Sequence, residues 1–488
     1  MNLSRLLYFP NTTSYSSLLL SSISNTRFTT PSTTKPLLIF TPTLESHIQA
    51  SVFCSRYYRL SLRVRSGGHD FEGLSYQSPA HQPFIVLDLT NFRSVTVDIE
   101  LGTAWVQAGA TIGDLYYHIA SNSSTFGFPA GTCSTVGVGG HISGGGVGTL
   151  VRKYGLAADN VLDVRFVDVH GRILDKDTMG EDLFWAVRGG GAASFGVVAS
   201  WKLRLVPVPQ TVTRFSISKT SFNGSIDLID KWQHIAHNLT EDLFIEMVIQ
   251  TLMNGSKGIE VLFNGLFLGN SSGLLQVMGQ KFPELGVGVK DCEEMSWVQS
   301  VMSYAFFPID SPLEILLDRT LQQRGMFKGK SDYAVNPIPR GAIKNLWNSL
   351  MEVDAAAISF EPYGGKMAEI PESQLPFPHR KGSLFNILYL VGWSSDNSTG
   401  TKASANAIGW IRRLYKNMAP YVSMYPRAAY LNYKDLDLGG RINQSYFMAE
   451  VWGRKYFKSN FRRLALVKGE VDPDNFFGNE QSIPPLLV

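Results

Sequence analysis

The sequence predicts an α+β protein of more than one domain. Three features carry this expectation. The chain has 488 residues, a length that allows about two to four domains, and 44% of them are hydrophobic against 17% charged, enough apolar material for a large core. From Pro36 onward, short strand-like runs alternate with amphipathic helical ones. Pro207-Val208-Pro209 then interrupts the pattern as a linker, and a second mixture of strands and helices follows.

Residues 1–36 are rich in Ser and Thr, with a short helix expected around Ser16–Ile23. Leu37–Phe40 reads as a buried strand, Leu44–Arg56 as an amphipathic helix, and Leu60–Arg65 as a strand running into Ser66-Gly67-Gly68-His69-Asp70. Phe84–Leu89, Ser94–Asp98 and Ala104–Ala108 are further strands, Ile112–Ser121 is a helix, and Val161–Val169 and Phe195–Leu205 are strands. Beyond the linker, Ile259–Leu268 and Leu384–Val391 are strands, and Ile226–Asn238 and Ala403–Met418 are helices. A helix near Ser459–Lys468 precedes the turn-rich Asp472–Gly478. The expected division is an N-terminal segment 1–36, a first domain 37–208, a second domain 209–425 and a closing segment 426–488.

Composition narrows the function. Lys and Arg number 44 and Asp and Glu 41, a net charge of +3 with no basic run, so nucleic acid is not an expected partner. No stretch approaches eighteen consecutive apolar residues, so membrane insertion is not expected. The first ten residues lack a secretory h-region. Against that, N-x-S/T sequons occur at Asn2, Asn11, Asn122, Asn223, Asn238, Asn254, Asn270, Asn397 and Asn443, where chance gives roughly three or four. The excess points to the secretory pathway and to an N-terminus that has lost a signal peptide. Cys54, Cys133 and Cys292 are the only cysteines, so at least one lacks an internal disulfide partner.

Two glycine-rich loops carry the chemistry. One is Arg65–Asp70; the other runs from Gly127 to Gly148 and holds nine glycines in 22 residues. Such loops let backbone N–H groups approach a pyrophosphate. A Walker A loop is excluded because Arg324 stands where Gly329-Lys330-Ser331 would need a glycine, and the Rossmann fingerprint fails because Gly137 and Gly139 are followed by Ile142. A large nucleotide cofactor held without a Rossmann turn is therefore expected. His69 and Cys133 each lie in one of these loops; a loop histidine with a buried thiol, or a Cys-His nucleophile pair, are the other readings. Zinc is disfavoured by the absence of C-x-x-C or H-E-x-x-H spacing. His234 and His237 share a helical face and read as surface residues.

The chain resembles the plant berberine-bridge-enzyme-like family of FAD-linked oxidases, within the vanillyl-alcohol-oxidase superfamily. The resemblance rests on Arg63–Ser75, Cys133–Gly148, Lys153–Asn160, Gly180–Gly191, Tyr430–Gly439 and Asp472–Pro485, and extends over the chain from Phe28. It implies a two-part FAD-binding domain, 37–208 with 426–488, and an inserted substrate domain on an antiparallel sheet, 209–425. It implies bicovalent FAD, bonded by His69 at the flavin 8α carbon and by Cys133 at C6, with Arg65, Ser66, Gly67, Gly68, Val136, Gly137, Gly139, Gly140, His141, Val198, Asn432 and Asn475 around it. Tyr433 matches the family's base, although a phenol near pKa 10 needs a cationic neighbour to serve as one at neutral pH; Lys434, read on a strand, points the other way.

Val136 matches the position where valine goes with oxidase behaviour and leucine with dehydrogenase behaviour. The implied activity is an oxidase that takes a hydride from an alcohol, sugar or other specialised metabolite and passes electrons to dioxygen, giving hydrogen peroxide. The alternatives are a dehydrogenase with another acceptor and a non-catalytic flavin-binding protein. A secreted monomeric glycoprotein of the cell wall or vacuole is the implied setting. There are departures. Asn386 and Leu388 stand where monolignol oxidisers carry lysine and glutamine, Leu388 replaces the alkaloid-cyclising glutamate, Phe71 and Val147 replace tyrosines, and Ser134 replaces a proline, so a more apolar pocket is expected. The cysteine that pairs with the Cys54 equivalent has no counterpart here.

Overall fold

The computed structural model describes residues 3–78, 82–252, 257–320, 324–394, 400–441 and 444–487. Among them, three antiparallel or mixed sheets set the architecture, and a fourth, two-stranded one joins them. A four-stranded sheet runs in the order Leu7–Tyr8, Ile39–Phe40, Phe84–Asp88, Ser61–Arg65, its last three strands parallel. A five-stranded antiparallel sheet runs Val95–Asp98, Thr103–Gln107, Val197–Arg204, Val161–Val167, Ile173–Leu174. One large core spans both, from Phe40 to Leu205, and takes in Trp452, Phe461, Leu464 and Phe477 from the end of the chain. The closing segment thus returns to the first unit.

The segment before residue 36 is packed onto the first unit. Tyr15, Leu19 and Ile23 pack with Ile39, Tyr76, Phe84 and Val86 in a small core. Helix Thr13–Ser21 is capped by Thr12, whose side chain accepts from Tyr15 N. The linker is likewise pinned: Val206–Pro207 pairs antiparallel with Phe126–Gly127.

The second unit is a seven-stranded antiparallel sheet in the order Cys292–Met295, Val212–Lys219, Ile259–Phe267, Leu243–Thr251, Ala356–Pro362, Phe385–Trp393, Met326–Ala334. Because strand side chains alternate, one face carries Ile245, Met247, Ile358, Phe360, Ile387 and Tyr389 into a core covered by helices Phe222–Ile235, Arg340–Leu350 and Gly400–Met418. The opposite face turns to the first unit, where Phe244, Tyr333 and Tyr363 meet Val147, Val151, Tyr430 and Phe377. Helix Trp297–Tyr304 departs from the sequence division, since Trp297, Val301 and Met302 join the first unit's core.

Arg152 fastens the two units. Buried to 1% exposure, it donates to the carbonyls of Tyr363, Thr240, Leu243, His237 and Leu239. Five carbonyls take the place of a carboxylate, which keeps the charge solvated by backbone dipoles.

Candidate active site

The two glycine loops close on each other. A Cβ at Gly67 would lie 2.2 Å from Gly137 N and 2.9 Å from Thr135 O, and one at Gly137 would lie 2.1 Å from Ser66 Oγ. Only glycines allow this approach. Gly68 adds a φ of +74°, and a Cβ there would strike Ser22 O. The approach brings the side chains of the two loops together: His69 Nε2 hydrogen-bonds Thr135 Oγ1 at 2.9 Å, and Cys133 Sγ lies 3.7 Å from the same oxygen. Imidazole and sulfur are therefore separated by no more than these two contacts combined. Burial holds the His69 imidazole neutral, its pKa lowered from 6.5 to about 4.

The other expected cofactor residues divide into two groups. Ser66 Oγ donates to Ala108 O at 2.5 Å, and Ala108 N bonds Ala199 O beside Val198, which ties the first loop to the five-stranded sheet. Gly139 rests against Ala108, Gly140 opens to free space, and Val136 O accepts from Ile112 N. Asn475 has a φ of 54° and a buried Oδ1 with no partner. Its turn is held by Asp472, which accepts from Phe476 N and Phe477 N. Ser194 ties that turn to the loop: it receives Ile483 N and Lys468 Nζ, and Gly191 N in turn donates to Ser143 O.

The remaining three brace the loops instead. The Arg65 guanidinium is fully buried on Asp88 and the carbonyls of Leu18 and Leu19, so this side chain anchors the loop from behind. His141 Nε2 accepts from Gly131 N at 3.0 Å, and Asn432 Nδ2 donates to His141 O at 2.9 Å. Both latch the 127–148 run. Burial lowers the His141 pKa from 6.5 to about 4, so it stays a neutral acceptor.

Tyr433 marks the far wall. It ends a short 3₁₀ turn, Leu431–Tyr433, instead of lying on a strand. Its ring stacks on Phe71 at 5.5 Å and meets Tyr430 edge-on at 5.0 Å. Gly329 makes room for Phe71, since a Cβ there would lie 2.5 Å from the ring. The Tyr433 hydroxyl donates to Glu361 Oε1 at 3.2 Å, and Glu361 Oε2 accepts from Asn386 Nδ2 at 2.7 Å. Burial first and the Glu361 charge second push the Tyr433 phenol well above 10. The neighbour is thus a carboxylate where a cation was sought. Lys434 turns to the neighbourhood of Asp70, Glu480 and Arg63.

The comparisons with known proteins agree with this geometry. Residues 36–176 match the FAD binding domain family and 429–484 the "Berberine and berberine like" family. Tetrahydroberberine oxidase of Berberis wilsoniae is 52% identical over 487 residues, covering 98% of this chain and 91% of that protein. The chain belongs to the berberine-bridge-enzyme-like family. Among solved structures, BBE-like #28 from Arabidopsis thaliana superposes with a TM-score of 0.96 at 45% identity, covering 99% of each chain. Phl p 4, a grass pollen allergen with glucose dehydrogenase activity, superposes at 0.95 with 46% identity, covering 99% of this chain and 98% of that one. An isoleucine-to-valine variant of that allergen is described as a glucose oxidase.

As a member of this family the chain is an FAD-dependent oxidoreductase. Its residues fit the cofactor: a glycine cradle that a Cβ at Gly67, Gly68 or Gly137 would fill, a neutral imidazole beside a thiol, and the unpartnered Asn475 Oδ1. Among the described residues no cluster of His, Cys, Asp and Glu fits a metal ion, and no helix is long and apolar enough to cross a membrane. Sequence reasoning missed Thr135, Glu361 and Glu246. The two glutamates were visible as acidic breaks in otherwise apolar strands, Ala356–Pro362 and Leu243–Thr251.

Proposed function

We propose that this chain is an oxidase that carries FAD bonded twice, through His69 and Cys133, and oxidises an alcohol, a sugar or a related specialised metabolite with dioxygen as acceptor. The single observation that supports it most is the meeting of His69 and Cys133 at Thr135 Oγ1: the 8α carbon is a methyl borne by the benzenoid ring that contains C6, so both partners must stand close together. When bound, FAD supplies a two-electron acceptor for the hydride and returns the electrons to dioxygen. The chain's own part is to hold the ring by two bonds, to stack Phe71 on Tyr433, and to place the Tyr433 hydroxyl at a proton-accepting point.

Val136 supports the oxidase reading, in line with the valine variant of the pollen allergen being described as a glucose oxidase. Secretion to the cell wall or vacuole, as a glycosylated monomer, is part of the proposal. Of the nine sequons, Asn11, Asn122, Asn223, Asn238 and Asn270 are all exposed, and Asn2, Asn254, Asn397 and Asn443 lie outside the described residues. The test is an anaerobic panel of alcohols, sugars and amines read by flavin bleaching, followed by mixing the reduced protein with air. Reoxidation within seconds with one hydrogen peroxide per substrate is expected; reoxidation over minutes or longer overturns the oxidase reading.

A further inference from the structure

The face of the large sheet that turns to the first unit carries one continuous polar row. The strand register sets Ser216 opposite Asn264, Asn264 opposite Glu246, Glu361 opposite Asn386 and Asn386 opposite Tyr333. Glu246 and Glu361 stand one step beyond the paired Met247 and Phe360, on adjacent antiparallel strands and on the same face. Two carboxyl groups thus face each other below Tyr433, which donates to one of them.

We propose that the Glu246–Glu361 pair is the proton acceptor of this site, reached through the Tyr433 hydroxyl, and that the substrate it serves is an alcohol. This rests on the reading that substrate is oxidised beside Tyr433. The transfer balances as follows. The substrate O–H gives its proton to Tyr433 Oη while the Tyr433 proton passes to Glu361 Oε1. The carbon-bound hydrogen leaves with its electron pair to FAD, and the C–O bond becomes a carbonyl. Tyr433 ends as a neutral phenol and Glu361 as a carboxylic acid. No phenolate accumulates, which suits a phenol beside a carboxylate.

The surroundings favour an acceptor role over an ion pair. The titratable groups facing the pair are Tyr304, Tyr333, Tyr363, Tyr430 and Tyr433. The cations that act on the surrounding tyrosines are committed elsewhere, Arg214 beside Tyr304 to Glu293 and Arg380 beside Tyr363 to Asp159. Two desolvated carboxylates without a counter-ion share protons. Burial, then the Glu361 charge, raises the Glu246 pKa from 4.5 to about 7, and burial raises that of Glu361 as well. Both carboxyl groups therefore take up a proton more readily than free ones. An independent sign of a ligand is Asn386, fully buried with Oδ1 unpartnered while Nδ2 holds Glu361. That oxygen suits a second hydroxyl of the substrate.

The test uses the FAD-loaded protein, with glucose and cinnamyl alcohol as probes, and the variants Glu361→Gln, Glu361→Asp and Glu246→Gln. Flavin reduction under anaerobic conditions should slow about 10²-fold or more in Glu361→Gln, lose its acid limb, and recover in part in Glu361→Asp. In Glu246→Gln the acid limb should persist and move to lower pH. A Glu361→Gln protein that keeps its rate and acid limb overturns the relay. If neither probe reduces the parent protein, the alcohol reading fails. The pair is decided separately by infrared titration of the carboxyl groups without substrate: the Glu246 midpoint should fall in Glu361→Gln, and an unchanged midpoint overturns the coupling.

Discussion

Replacing Gly67 by alanine tests how the two glycine loops build the cofactor site. The new Cβ would lie 2.2 Å from Gly137 N and 2.9 Å from Gly137 Cα and Thr135 O, all of them backbone atoms without rotamers to yield. Restoring an ordinary contact requires the loops to part by at least about 1 Å, and overpacking of this kind costs about 1–3 kcal/mol. For a core of this size that lowers Tm by roughly 2–6 °C. The chemical effect is larger. His69 rides on one loop and Cys133 on the other, both at Thr135, and a misplacement of about 1 Å is enough to cost a reaction 10²-fold. Gly67→Ala should therefore carry mostly singly bonded or releasable FAD, read by acid precipitation and the mass of the denatured protein. Gly279→Ala, on helix Ser271–Lys281 with open space around the position, controls for glycine replacement as such and should leave Tm and flavin content at or above those of the parent. Full double attachment and an unchanged Tm in Gly67→Ala would refute the reasoning.

Further outcomes follow from the same structure. Arg152→Met removes five hydrogen bonds to backbone carbonyls, three of them buried, and should cost about 3 kcal/mol or more, read by urea unfolding. Tyr433→Phe should keep its FAD and its fold while flavin reduction slows about 10²–10⁴-fold, measured by stopped flow. His141 has a folded pKa of about 4 against 6.5, so it binds its proton later in the folded chain than in the unfolded one. Its contribution, up to about 3 kcal/mol, is fully present above pH 6.5 and is lost as pH falls toward 4; His141→Gln should flatten that slope in pH-dependent unfolding. Val136→Leu should slow reoxidation of the reduced protein by air without changing its anaerobic reduction, followed by flavin absorbance.

The first unit was legible in the sequence because its signals are local. Strand Phe84–Asp88 is a continuous apolar run, helix Ile112–Asn122 opens with the Thr111/Asp114 capping box, and the glycine loops announce close backbone contacts. The second unit was legible only in part. Strands Val212–Lys219 and Met326–Ala334 carry Arg, Lys and Asp along their length, because those charges pair across the fold, Asp332 with Arg427 and Lys330 with Asp435. Helix Tyr446–Phe457 went unread because it presents Phe447, Met448 and Val451 to solvent and so lacks a clean apolar stripe. Thr135 and the two glutamates matter through residues far away in the chain, and only the sheet register brings Glu246 beside Glu361. Arg65 shows the converse: a residue inside a recognisable motif whose side chain serves the scaffold.

The most direct measurement is tandem mass spectrometry of peptides from the acid-denatured, proteolysed protein. A single species in which the His69 peptide and the Cys133 peptide are joined through one FAD is the expected result. Both peptides recovered unmodified, with all flavin in the supernatant, would contradict the account.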